Sequence, residues 1–132
     1  MRKVLMLLLV ATALPLTGQT LSGPMITWEY ATFDFGDIVQ GERVEHTFKF
    51  TNTGNAPLVI TNVQVTCGCT TPKGWARDPI PPGGESEITL AFNSAGKFGR
   101  QRKVVTIVSN ASNSEGDNQI IFVANVLSKI PR

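Results

Sequence analysis

The chain of 132 residues carries 12 Lys and Arg, 10 Asp and Glu, one His and two Cys, and 42% of it is hydrophobic. That length suits one domain, and the apolar fraction argues against low-complexity disorder. Two cysteines are too few for a disulfide-dense mini-protein or a four-cysteine zinc site.

The first residues read as a targeting segment. Arg2 and Lys3 precede an apolar stretch from Val4 to Leu16, and small or polar residues follow at Thr17 to Thr20. This is the layout of a secretory signal peptide, and the stretch is shorter than the roughly 20 residues that span a bilayer. Cleavage after Gly18 is expected, with Ala11-Thr12-Ala13 as a second candidate. The chain then divides into signal peptide 1–18, N-terminal arm and start of the first strand 19–27, one folded domain 28–127 and tail 128–132. Removing residues 1–18 deletes Arg2 and Lys3 and no acid, so 10 basic and 10 acidic residues remain. A neutral domain gives no support to nucleic-acid binding or to attraction by anionic membranes. No second long apolar run follows, so no integral membrane segment is expected after signal removal, and a periplasmic or secreted location is.

Beyond residue 20 the apolar period is two, which predicts strands. Ile26 to Tyr30 opens the series. In the next run Val44, His46, Phe48 and Phe50 share one face, and Glu45, Thr47, Lys49 and Thr51 the other. From Leu58 to Val65 the apolar parity switches between Ile60 and Val63, which predicts a β-bulge near Thr61-Asn62. Ile88, Leu90 and Phe92 form the next inward set. Val104–Val108 and Ile120–Leu127 are nearly continuous apolar runs, as in central strands or strands covered on both faces. Asn52-Thr53-Gly54-Asn55, Pro79 to Gly84, Asn93 to Gly96 and Asn110 to Asp117 carry turn chemistry between the runs. About seven short strands and no helix predict an all-β immunoglobulin-like β-sandwich, with a closed barrel as the alternative. The seven phenylalanines, Phe33, Phe35, Phe48, Phe50, Phe92, Phe98 and Phe122, are expected mostly in its core.

Cys67-Gly68-Cys69 is the one chemical irregularity. Three readings stand beside a purely structural one, in which the pair shapes the chain at a strand end. A local disulfide needs a bent backbone, because residues i and i+2 of a regular strand lie about 6–7 Å apart, and Gly68 supplies that freedom. A redox site would use the lability of so small a ring, although no helix end is present to lower a thiol pKa. Metal binding would recruit His46, yet two thiols and one imidazole make only three ligands; no cofactor is expected. Thr70 to Trp75 reads as a loop whose Trp75 either folds over the cysteines or stands out as a partner contact. Lys97, Arg100, Arg102 and Lys103 read as solvated edge positions that discourage strand pairing. No nucleophile elbow, phosphate loop or His-Glu-x-x-His segment is present. Asp34 and Asp37, flanking Phe35-Gly36, fit a turn-capping role.

Several segments, in order, carry a resemblance: Phe33-Asp34-Phe35-Gly36-Asp37-Ile38, Gly41-Glu42, Phe48 to Gly54, Cys67-Gly68-Cys69-Thr70, Ile80-Pro81-Pro82-Gly83 and Phe92. Together they resemble the bacterial family known as domain of unknown function 1573, from about Trp28 to Leu127. More loosely the chain resembles the immunoglobulin-like domains of major sperm proteins and pilus chaperones. The resemblance implies an exported β-sandwich and no known reaction. The looser relatives bind proteins, which is an analogy of fold. The functional expectation is therefore an exported, non-catalytic protein-binding or structural module, not an enzyme, whose edge strand could accept a partner strand. The alternative is thiol redox or metal handling through Cys67 and Cys69.

Overall fold

The computed structural model describes residues 23–113 and 118–129. The signal peptide and the last three residues of the expected tail lie outside them. Eight strands follow one another: β1 (Ile26–Trp28), β2 (Thr32–Val39), β3 (Arg43–Asn52), β4 (Ile60–Val65), β5 (Thr70–Gly74), β6 (Glu85–Asn93), β7 (Gly99–Ser109) and β8 (Gln119–Leu127). They form two four-stranded sheets, ordered β1-β3-β6-β5 and β2-β8-β7-β4. The architecture is an immunoglobulin-like β-sandwich, and the described residues contain no helix.

Where about seven strands are expected there are eight: six follow the apolar runs named above, and β2 and β5 are added to them. β1 pairs antiparallel with β3, and after Tyr30-Ala31 the chain crosses and β2 pairs parallel with β8. The segment Thr70 to Gly74, expected as a loop, is strand β5, paired with β6. Pro72, Lys73 and Gly74 give it the composition of a loop, and only the free edge of β6 makes it a strand.

The core lies between the sheets. Phe48 and Phe50 of β3, Ile88, Leu90 and Phe92 of β6, and Ile120, Phe122, Ala124 and Val126 of β8 are all buried. Phe122 touches both Phe92 and Phe35, with ring centroids 5.3 and 5.5 Å apart, and so joins the layers. Phe98 departs from the expectation and is exposed. The register of β4 against β7 shifts between Ile60 and Asn62, so Ile60 and Val63 are both buried despite their opposite parity. β7 and β8 are central strands, as their apolar runs predict. They are covered on one face only, because their residues alternate between buried and partly exposed.

Asn52 closes one end. Its side chain is fully buried, accepts from the backbone N–H groups of Met25 and Gly54, and donates to the carbonyls of Ala56 and Ile80. Gly54 belongs to the same corner, where a Cβ would run into the backbone of Gly23, Pro24 and Met25, so the arm can close over it only if residue 54 is glycine.

Candidate functional site

The chain leaves the second sheet at Val65 and enters the first at Thr70, and Cys67-Gly68-Cys69 makes the crossing. The two sulfurs are bonded, with Cα atoms 5.1 Å apart, closer than strand geometry would hold them. The Thr70 N–H donates to the Cys67 carbonyl at 3.2 Å and the Cys69 N–H to the Cys67 sulfur at 3.1 Å, so the crossing is a tight turn. The Asn93 N–H donates to the Cys69 carbonyl and docks the turn on β6. Gly68 is exposed at its tip and both cysteines are partly exposed. Trp75 is partly buried and packs on the core, with the Arg77 guanidinium 4.0 Å from its ring centre. Its ring thus has contacts within its own domain.

His46 does not join the cysteines. It stacks on Phe33 with ring centres 3.5 Å apart and meets Phe48 edge-on, and β6 stands between its strand and β5. Among the described residues no three His, Cys, Asp or Glu side chains are grouped to hold a metal ion. Burial lowers the His46 pKa from its ordinary value of 6.5. Both folded and unfolded chains hold it neutral above that value. As pH falls below 6.5 the unfolded chain takes up the proton first, so stability drops until the folded pKa is passed. We expect His46→Phe, which keeps the stack, to remove this component. Urea midpoints measured between pH 7 and 5 check it, a wild-type and variant difference that stays constant with pH being the contrary result.

The outer face of the second sheet holds a second group of side chains. Residues paired across neighbouring strands share a face. Asp37, Asn125 and Arg100 lie in one such row, and Asp34, Val123 and Arg102 in the next. All four charged residues are exposed. Asp34 also accepts from the Gly36 N–H at 2.8 Å, capping a bulge in β2 where Gly36 has φ 72°. Asp37 accepts from Asn125 at 3.0 Å. Two strand spacings, about 9.5 Å, separate the acidic column on β2 from the basic column on β7. β7 is central where β4 pairs with Val105 to Ser109, but Arg100 and Arg102 lie past the end of β4, with β8 on one side only, at a local edge as the sequence suggests. Lys103 faces inward opposite Phe122, and its pKa is lowered by burial and then by Lys97. At the end of the same face Val39 pairs with Leu127, and close by Phe98 stands just before β7, ahead of Gly99, the partner of Val126. These three apolar side chains, Val39, Leu127 and Phe98, are 40%, 42% and 69% exposed. Gln40 holds the β2–β3 turn to the Lys97 carbonyl, and so keeps this row together.

The strand edges are less open. The Asn113 side chain both accepts from the Ile26 N–H and donates to the Ile26 carbonyl, occupying the free edge of β1 as a neighbouring strand would. β2 is bulged between Asp34 and Asp37. β5 carries Pro72 beside a register shift. On β4 the Asn62 side chain accepts the Val63 N–H. An open groove of about 680 Å³ on the first sheet, lined by Trp28, Glu29, Lys49, Glu85 and Glu87 among others, brings together no catalytic arrangement.

The model of one protein family, described as a protein of unknown function (DUF1573), matches residues 26–126. The chain belongs to the DUF1573 family. No functionally curated protein matches its sequence. Among solved structures, a protein of unknown function from Porphyromonas gingivalis W83 superposes with TM-score 0.65 at 19% identity, over 80% of this chain and 48% of that one. The DUF1573 chain thus spans about half the length of that protein. A secreted serine protease, VesC from Vibrio cholerae, gives TM-score 0.62 at 16% identity over 81% of this chain and 24% of that one. The ASH/PapD-like domain of human CEP192 gives 0.58 at 9% identity, over 80% and 87%. At these identities the likeness is one of fold. The segments that carry the resemblance in the sequence mostly build that fold: Asp34 and Gly36 the bulge, Asn52 and Gly54 a closed end, the cysteines the crossing between sheets.

Proposed function

We propose that this DUF1573 domain is an exported, non-catalytic module that binds protein through the outer face of its second sheet. The carrying observation is the exposed row of Val39, Leu127 and Phe98 beside ordered columns of opposite charge. Apolar side chains grouped in this way, rimmed by charge, mark interaction sites. The occupied edge of β1 and the irregular edges of β2 and β5 favour the face over strand addition at those strands. Export rests on the segment from Arg2 to Leu16, which lies outside the described residues. An oxidising compartment would keep the Cys67–Cys69 bond closed as a strut between the sheets.

The test places a photo-activated cross-linking residue at Phe98, beside the face, or at the exposed Thr71, on the edge strand β5, in the exporting cell. Adducts from position 98 and none from 71 are expected. Adducts from 71 alone would return the binding site to the edge.

A further inference from the structure

The outer face of the second sheet is complementary to itself. Its acidic column, Asp34 and Asp37, lies on β2, its basic column, Arg100 and Arg102, on β7, and β8 runs between them. A two-fold axis in the plane of contact, directed along β8, carries β2 of one copy over β7 of the other without shifting the rows. Asp37 then faces the partner's Arg100, and Asp34 the partner's Arg102. The strand between the columns meets itself, Val123 on Val123 and Leu127 on Leu127, and Val39 comes over the start of the partner's β7, beside which Phe98 is exposed. Isologous contacts of this kind are the commonest way that chains pair, and sheets stacked face to face keep their strands within about 30° of each other.

We infer that the partner bound by this face is a second copy of the chain, in a two-fold symmetric, sheet-on-sheet dimer. The inference rests on the binding reading above and gives it an occupant. Within one copy the columns do not neutralise each other. They stand about 9.5 Å apart, and among the described residues the ion pair found is Lys73 with Glu45, on the other sheet. The dimer brings each carboxylate to a guanidinium and covers the exposed Phe98 at the same time.

Analytical ultracentrifugation of the mature chain tests this, on wild type and on Asp37→Arg and Arg100→Asp variants. Wild type is expected to sediment as a dimer that weakens with added salt. Either variant alone sets two like-charge contacts across the axis, and is expected to weaken association at least about tenfold. Mixed together, the two variants set the arginine introduced at position 37 against the aspartate introduced at position 100. The second contact across the axis is then the native one, Asp37 to Arg100, so the mixture is expected to recover the dimer. That recovery also shows both variants folded. A wild-type chain monomeric up to about 1 mM, or a dimer indifferent to both exchanges, overturns the inference. If a monomeric chain still forms adducts with another protein from position 98, the binding reading survives and only the second copy is lost. If position 98 captures nothing, both fall.

Discussion

Replacing Asn52 with alanine is expected to lower the stability of the domain by about 3–5 kcal/mol, near the upper limit for a single substitution. The side chain is fully buried at the end of β3, and its hydrogen bonds go to backbone groups. Its oxygen accepts from Met25 at 3.2 Å and Gly54 at 3.0 Å, and its nitrogen donates to Ala56 at 2.8 Å and Ile80 at 2.9 Å. Alanine removes these partners together: the N–H groups of Met25 and Gly54 and the carbonyl of Ala56 lose partly buried bonds, while the Ile80 carbonyl keeps the Leu58 N–H, and a polar group left unpaired away from water costs about 1–3 kcal/mol. The affected groups belong to the arm before β1, the β3–β4 turn and the segment before β6, so the loss spreads over three parts of the chain. Asn52→Asp is expected to do no better, because a carboxylate would set oxygen against the carbonyls of Ala56 and Ile80. Thermal unfolding checks both, with a fall in Tm on the order of 15 °C or more expected for the alanine variant. A fall of only a few degrees would mean that the corner is held chiefly by its glycines and backbone turns.

The second large effect is expected at Phe122, and it comes as a contrast with its neighbour. Phe122 is fully buried between Phe35 and Phe92 and spans the two sheets. Phe122→Ala is expected to cost about 3–5 kcal/mol, the transfer of the ring plus the cavity it leaves. Val123, one residue on, points to the outer face and is partly exposed, so Val123→Ala is expected to cost under about 1 kcal/mol in the monomer. Urea denaturation of the two variants, under dilute conditions, reads the difference directly. Equal costs would mean that the outer face of β8 is covered as thoroughly as the inner one.

This pair of residues marks the limit of a local pattern. In Val44 to Phe50 apolar residues alternate with Glu, Thr and Lys, so the buried face can be named from the alternation alone. In Ile120 to Leu127 nearly every residue is apolar. Period two still says that Phe122 and Ala124 share a face, but not which face meets the core. The bulge at Thr61-Asn62 is legible because a bulge leaves a parity error in the pattern itself. β5 is not, because Thr70 to Gly74 has no apolar alternation and pairs only because the edge of β6 lies beside it.

The candidate sites divide in the same way. Cys67 and Cys69 stand out from spacing alone, and their bond is local chemistry that a flexible Gly68 permits. His46 is visible in the sequence as a candidate ligand, but only packing decides that it lies on Phe33, with β6 between it and the cysteines. Arg100 and Arg102 are visible as a charge cluster whose composition points to an edge, and they lie on the stretch of β7 that runs past the end of β4. Which strand is central depends on pairings between residues far apart in the chain, and no local pattern carries them. Six of the eight strands, most of the core and the cysteine turn are written in the sequence itself, because side-chain period and turn chemistry are short-range. That β2 and β7 flank β8, laying two acids and two arginines in columns on one face, is settled only by tertiary packing. The arrangement follows from the partners each strand finds when both sheets bury their apolar sides together.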